Sequence, residues 1–242
     1  MASIAHDLRG DRDVDVGECL AVAALSLAGR FSRGATLWCI APTWPEHARH
    51  VAVEFVHPVL VGKRALPAVS VDSADPVAAL RPLVRSGDVV LAVSPADCAA
   101  TAAVMRRAEA WGAMTIWLGA GERPPARAAD HVVWADDVPE AESPALHDGG
   151  LVLLYHVLWE LTHVCFEHPG LLTGDEDCAD DGVCITCSDE GRVGEVIALE
   201  GEGNARVRTA RGVELINTMM LSSVAPGELV LIHAGAAIAE VP

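Results

Sequence analysis

Asp88-Val89-Val90-Leu91-Ala92-Val93 and Met114-Thr115-Ile116-Trp117-Leu118, with residues 95–112 between them, decide the fold of this chain. Both apolar runs have strand length, and neither alternates with polar residues. A strand that is apolar on both sides belongs in a sheet covered on both faces. The stretch between them reads as a helix. Strand, helix, strand in that rhythm predicts a parallel sheet with helices packed on either side.

The same rhythm extends outwards. Residues 14–32 read as a helix rich in Ala and Leu, ended by Gly34. Residues 35–41 form an apolar run of strand length. Pro45 then opens a second helix that runs to about His57 and is stopped by Pro58. Residues 66–71 and 131–134 are further strand-length runs, and 144–168 is a long final helix. Then the texture changes. Asp175, Glu176, Asp177, Asp180 and Asp181 crowd a short stretch that cannot pack, which predicts a solvated linker. Beyond it the period becomes two: Val193, Glu195, Ile197, then Ala205, Val207, Thr209, then 228–233. Glycines 191, 194, 201, 203, 212 and 227 punctuate these strands. The expected architecture is a doubly wound, three-layer α/β/α unit over 1–170, an acidic linker over 171–182, and a small OB-like β-barrel over 183–242.

Composition narrows the function. The chain has 242 residues, half of them hydrophobic, so material for a packed core is ample. A formal charge of −17 argues against nucleic acid and against anionic membrane surfaces. No apolar run looks long enough to span a bilayer, and residues 1–7 have no secretory character, so a cytoplasmic protein is expected. Seven cysteines in that setting read as reduced thiols. Cys19, Cys39 and Cys98 read as small buried hydrophobes.

Two helices carry ligand-type side chains at helical spacing. On the second helix these are His47, His50, Glu54 and His57. On the last helix they are His156, Glu160, His163 and Glu167. Each stripe alone is compatible with a solvated face, whereas two stripes on neighbouring helices are compatible with a metal site. Cys184-Ile185-Thr186-Cys187 reads as a strand start, a redox pair or half of a metal site, and His233 as a strand-end cap or a ligand.

Three patches carry a resemblance for the N-terminal unit: Arg49-His50-Val51-Ala52-Val53-Glu54-Phe55, Gly87-Asp88-Val89-Val90-Leu91-Ala92-Val93-Ser94 and Tyr155-His156-Val157-Leu158-Trp159-Glu160-Leu161. In the order of its elements and in these patches the unit resembles sugar isomerase (SIS) domains, and most of all phosphoheptose isomerases. The resemblance implies a metal-dependent isomerase of the sedoheptulose 7-phosphate type, with Glu54 as proton-abstracting base and His156 as its acid partner. It also implies a metal, such as zinc, near His50, Glu54 and His156; the Glu-x-x-His spacing of Glu160 and His163 adds these two as further candidates. The phosphate-binding turns depart from the family. Ala41-Pro42-Thr43-Trp44-Pro45-Glu46 replaces a Gly-Asn-Gly-Gly-Ser-type loop, and Ser94-Pro95-Ala96-Asp97-Cys98-Ala99 replaces a Ser- and Gly-rich one. Prolines remove donors and the carboxylates repel anions, so phosphate binding is expected to be lost or weak. SIS-like domains pair through their helices, which implies a homodimer or homotetramer.

The C-terminal unit has its own resemblance. Cys184-Ile185-Thr186-Cys187, Gly191-Arg192-Val193-Gly194-Glu195-Val196 and 226–238, with Pro226-Gly227 before an apolar strand and His233-Ala234-Gly235-Ala236 after it, resemble the HypC/HupF family of chaperones for nickel–iron hydrogenase assembly. That resemblance implies an iron centre held through Cys184, with Cys187 and His233 as the other candidate ligands. It implies as partners the hydrogenase large subunit and other maturation proteins. The leading expectation is thus an accessory protein of hydrogenase maturation with a catalytically degenerate SIS scaffold, and the alternative is a phosphosugar isomerase.

Overall fold

The order of elements in the computed structural model follows the apolar runs. The structure describes residues 15–135, 144–172 and 191–241, with backbone alone for 144–148. The N-terminal unit contains α1 (Val16–Ser32), β1 (Leu37–Ile40), α2 (Pro45–Val56), β2 (Ala68–Ser70), α3 (Pro76–Leu80), β3 (Val89–Val93), α4 (Ala99–Ala110), β4 (Met114–Ala120), β5 (His131–Ala135) and α5 (Pro144–Glu167). The helix starts have local causes. Asp15 caps α1 by accepting from the Gly17 amide, Asp75 caps α3 by accepting from Ala78, and Pro45 supplies the preset φ at the head of α2. The short α3 lies outside the sequence expectation, because five residues leave no readable period.

The five strands run in the order β2-β1-β3-β4-β5, all parallel. Every residue of β3 and β4 is buried, as their unbroken apolar runs require. Two cores flank the sheet. Leu27, Phe31, Val51, Phe55, Tyr155 and Leu158 of α1, α2 and α5 fill one side. Leu80, Val104, Met105, Trp111, Trp117 and Trp134 fill the other, under α3 and α4. Gly119 on β4 stands opposite Trp134 on β5, and a Cβ there would lie 2.2 Å from the indole. Only glycine leaves room for that ring.

The helix α5 corrects one expectation. Its stretch Gly149–Glu167 is long and apolar enough to cross a membrane by length and composition. Its apolar side, with Leu151, Leu154, Tyr155, Leu158 and Trp159, is spent on the sheet core instead. Half of the helix period faces the protein, which is why its composition is so apolar.

The C-terminal unit is a closed barrel of β6 (Arg192–Gly201), β7 (Asn204–Thr209), β8 (Gly212–Asn217), β9 (Leu229–His233) and β10 (Ala236–Val241), in the order β10-β8-β7-β6-β9. Val196, Ala205, Val207, Ile216, Val230, Ile232 and Ala237 fill it. Along β6 the expected alternation is broken. Glu195 is buried and Ile197 is exposed, with a bulge between Val196 and Ala198. The barrel docks on α4 and the turn after α3, on the side of the sheet away from α2 and α5. The Arg81 guanidinium donates twice to Glu195 Oε1, at 2.6 and 3.0 Å, and the Trp111 indole donates to Oε2 at 2.8 Å. Arg208 donates to the carbonyls of Arg81 and Val84, each at 2.6 Å. Gly112 lies under this seam, where a Cβ would meet Ser86 Oγ at 2.6 Å and the Ala210 backbone at 3.1 Å. Cys184, Cys187 and most of the expected linker 171–182 lie outside the described residues.

Candidate metal centre

Helix α2 follows β1 and helix α5 follows β5, and the two pack side by side on one face of the sheet. His50 and Glu54 stand one turn apart on α2, and His156 faces them from α5. One ligand-type atom from each falls within 4.8 Å of the others. Both imidazoles address the same carboxylate oxygen. His50 Nε2 lies 3.3 Å from Glu54 Oε1 and His156 Nε2 lies 3.5 Å from it. The side chains of His50 and His156 are 41% and 37% exposed, and that of Glu54 is 16% exposed. The group is therefore rooted in the helix pair and open on its outer side.

The second nitrogen of each imidazole is also engaged. His156 Nδ1 lies 2.7 Å from the Val152 carbonyl, which can only accept, so Nδ1 carries a proton and donates. In the neutral ring Nε2 then presents a lone pair, and it presents it to a carboxylate oxygen. Two electron-rich atoms at 3.5 Å call for a positive charge between them, either a proton or a metal ion. A histidine that donates its far N–H to a backbone carbonyl is the usual outer support of a metal ligand. His50 Nδ1 lies 2.8 Å from the Tyr155 hydroxyl, which in turn lies 3.3 Å from His47 Nδ1. Two imidazoles and a carboxylate with an open side are a donor set that could hold a divalent metal ion.

The other candidates go elsewhere. Glu160 accepts from Lys63 Nζ at 3.0 Å, and Lys63 also pairs with Glu167 at 2.9 Å. These contacts raise the Lys63 pKa, the hydrogen bond that Lys63 donates to Glu167 contributing most, and they hold the Glu167 carboxyl below its ordinary value. His163 is buried, with Nδ1 at 2.9 Å from the Trp159 carbonyl and Nε2 at 3.0 Å from the Arg64 carbonyl. With both nitrogens facing carbonyls it ties the chain after α2 to α5 and turns neither of them towards the other three side chains. Glu160 and His163 thus do not join His50, Glu54 and His156. His233 ends β9, half-buried, opposite Ala236 in a hairpin whose turn residues Ala234 and Gly235 both have positive φ. The thiols expected beside it belong to the segment that is not described.

At the turns after β1 and β3 the chemistry is internal. The Ser94 hydroxyl is fully buried, 2.9 Å from Thr101 Oγ1, and accepts from the Trp117 indole at 3.0 Å. The cavity beside the β1 turn, lined by Pro42, Pro45, Arg49, Ser73 and Pro76, measures about 20 Å³, room for roughly one water. Cys39 is buried and burial pushes its thiol pKa up. Cys98 corrects its reading as a buried hydrophobe. It is only half-buried, at the N-cap of α4. Burial raises its pKa, but donation from the Thr101 hydroxyl and amide, Thr43 and the Ala100 amide outweighs burial and leaves it lowered. Sequence reading took Tyr155 for a core or subunit-interface residue and gave Glu195 no role beyond its place in the alternation of its strand. Their positions beside His156 and on an alternating strand were the signals available.

No family model and no curated protein matches the sequence. Among solved structures, the chain is similar to a phosphoheptose isomerase from Francisella tularensis, with 14% identity and a TM-score of 0.50 over 61% of this chain and 86% of that one. A phosphoheptose isomerase from Neisseria gonorrhoeae gives 16% identity, a TM-score of 0.47 and coverage of 60% and 85%. The sugar isomerase domain of an RpiR transcription factor from Sphaerobacter thermophilus gives 20%, 0.45, and 64% and 81%. The likeness to the first of these shows the fold alone: the N-terminal part has an SIS-like α/β fold. The resemblance of the barrel to the HypC/HupF family finds no support in these structures.

Proposed function

We propose that the N-terminal unit is a metal-dependent isomerase acting on an α-hydroxy carbonyl compound of the sugar type, with His50, Glu54 and His156 as its centre. The observation that carries this is the His156 Nε2 lone pair, fixed by the Val152 carbonyl and turned onto Glu54 Oε1. A divalent ion held there would supply Lewis-acid polarisation of the substrate's adjacent oxygens. His156 Nε2 holds either the ion or a proton, not both, so the acid role that the family resemblance implies for His156 conflicts with its role as a ligand. Glu54 resolves the conflict. Both imidazoles face Oε1, which leaves Oε2 to take a proton from the carbon beside the carbonyl and return it to the neighbouring carbon, while the hydroxyl proton passes between the substrate's own two adjacent oxygens. The buried Ser94 and the small cavity at the β1 turn support a substrate whose affinity does not come from phosphate at those turns.

The test is metal content together with turnover. Full-length protein is expected to retain about one equivalent of a divalent ion and to interconvert an aldose–ketose pair, with or without phosphate. His156→Ala is expected to lose both. Equal metal in the two proteins would remove the centre from the function.

A second reading rests on the barrel: an accessory protein of nickel–iron hydrogenase maturation that relays an iron centre through Cys184, with Cys187 and His233. The closed barrel and the strand-end position of His233 favour it. Iron retained after anaerobic purification, compared with Cys184→Ala, tests it. Equal iron in both would exclude the thiol. In this reading the SIS-like unit is a scaffold for pairing, and sedimentation would give the size of the assembly.

A further inference from the structure

One end of the barrel faces away from the N-terminal unit. The β7–β8 turn meets that unit, where Ser86 Oγ donates to the Ala210 carbonyl at 2.9 Å. The other end of β7 carries the tight β6–β7 turn, in which Gly201, Glu202 and Gly203 all have positive φ. Beside this turn Leu199, Asn204, Thr218, Met219, Leu221 and Val224 line a cavity of about 320 Å³. That is the lower end of the ligand-pocket range, about 300–1,000 Å³. We propose that this barrel mouth is a docking site for a basic amphipathic segment of another polypeptide, which sets an apolar side chain among Leu199, Met219, Leu221 and Val224 and a lysine or arginine beside Glu202.

The lining decides the chemistry of the occupant. Its polar groups are used locally. Thr218 donates through its amide and its hydroxyl to the Gly203 carbonyl, at 2.7 and 3.1 Å. The Met219 amide donates to Asn217 Oδ1 at 3.1 Å, and the Leu221 amide to the Thr218 carbonyl at 3.0 Å. These groups are not free to orient a polar small molecule, so affinity has to come from apolar burial. Met219 lies across the Gly203 backbone, where a Cβ would come within 2.3 Å of its Cγ. Even so, Met219 and Met220 are 75% and 69% exposed. Unbranched thioether side chains on an open rim adapt to the surface of a partner. A rim this exposed is closed by a partner with a surface of its own rather than by a small apolar molecule. Charge selects the sign. From Gly212 to Pro242 the sequence has no Lys or Arg and three glutamates, and residues 218–224 are uncharged. In the turn, Glu200 is held by Arg206, whereas Glu202 has no hydrogen-bond or ion-pair partner among the described residues. An apolar mouth with an acidic lip fits a segment that carries Lys or Arg next to Leu, Met or Phe.

The mouth is independent of the metal centre, and its test leaves that centre untouched. A fluorescein-labelled peptide of Lys and Leu in helical spacing is titrated with full-length protein and followed by anisotropy. The salt is about 0.15 M, where distant surface charges are screened. A Glu/Leu peptide of the same pattern and a Lys/Ser peptide of the same charge run beside it. Wild type is expected to bind the Lys/Leu peptide, and the other two about tenfold more weakly or worse. Met219→Ser and Leu199→Ser, both at exposed positions, should each weaken binding about tenfold, the scale of a central interface anchor. Glu202→Gln should weaken it about two- to fivefold, as an exposed ion pair does. Glu18→Gln, on α1 of the other unit, should leave it unchanged. Binding that survives both apolar substitutions, or that falls equally with Glu18→Gln and Glu202→Gln, would overturn the proposal in favour of diffuse charge attraction. Wild type that does not bind the Lys/Leu peptide would overturn it too. So would self-association in sedimentation that Met219→Ser abolishes, because the mouth would then belong to a second copy.

Discussion

Replacing Glu195 by alanine should loosen the seam between the two units. Glu195 is 2% exposed and lies between Arg81, Arg107 and the Trp111 indole. Its removal leaves two guanidinium groups without a counter-charge and an indole N–H without an acceptor. Removing one partner of a buried ion pair typically costs about 3–5 kcal/mol. Arg81 is 41% exposed, so water recovers part of its loss, and the lower end of that range, about 3 kcal/mol, is the expected value. For a protein of this size that corresponds to a fall in Tm of roughly 6–12 °C. Urea unfolding followed by Trp fluorescence is the assay, since Trp111 sits on the seam and the barrel has no Trp of its own. Glu195→Gln, which keeps the acceptor for Trp111, should lose less than Glu195→Ala. A loss below about 1 kcal/mol for Glu195→Ala would mean that the barrel is held by apolar contact and that the ion cluster is incidental.

Other perturbations follow from the same geometry. Gly119→Ala should lower stability by several kcal/mol and change Trp134 fluorescence, because the added methyl has only the indole's space to enter. Cys98 should react with iodoacetamide faster at neutral pH than Cys39 or Cys165, as peptide mapping of the labelled protein would show. The Lys63–Glu167 contact should protect residues 57–66 from hydrogen exchange at neutral pH. The folded Glu167 pKa is depressed below the ordinary 4.5, so this contribution is complete above that value and disappears as pH falls through the lower folded value. Lys63→Met should remove the protection at every pH.

The sheet was legible because its signal is local. The runs at 88–93 and 114–118 are apolar on both faces, and burial on both sides is what such runs do. The candidate centre was legible in part. The spacing of His50 and Glu54 places them one turn apart whatever the tertiary structure, and His156 sits on a helix of unmistakable period. What spacing could not separate was His156 from His163, both on α5. The difference lies in a carbonyl of Arg64, which reaches His163 from a different part of the chain. Glu195 was unreadable for the same reason. The alternation put it on one face with Val193 and Ile197, and only the bulge after Val196 and arginines more than 80 residues away make Glu195 the interior one and leave Ile197 exposed. Propensity and period describe one element at a time, and long-range hydrogen bonds reassign individual positions within it.

The barrel and the His50–Glu54–His156 group look out from opposite sides of the parallel sheet. A large polypeptide gripping the barrel would therefore not shade the mouth of the α2–α5 centre, and a small molecule arriving there would not meet the barrel. Among the described residues the strands stand between the two faces, so occupation of one would leave the other open.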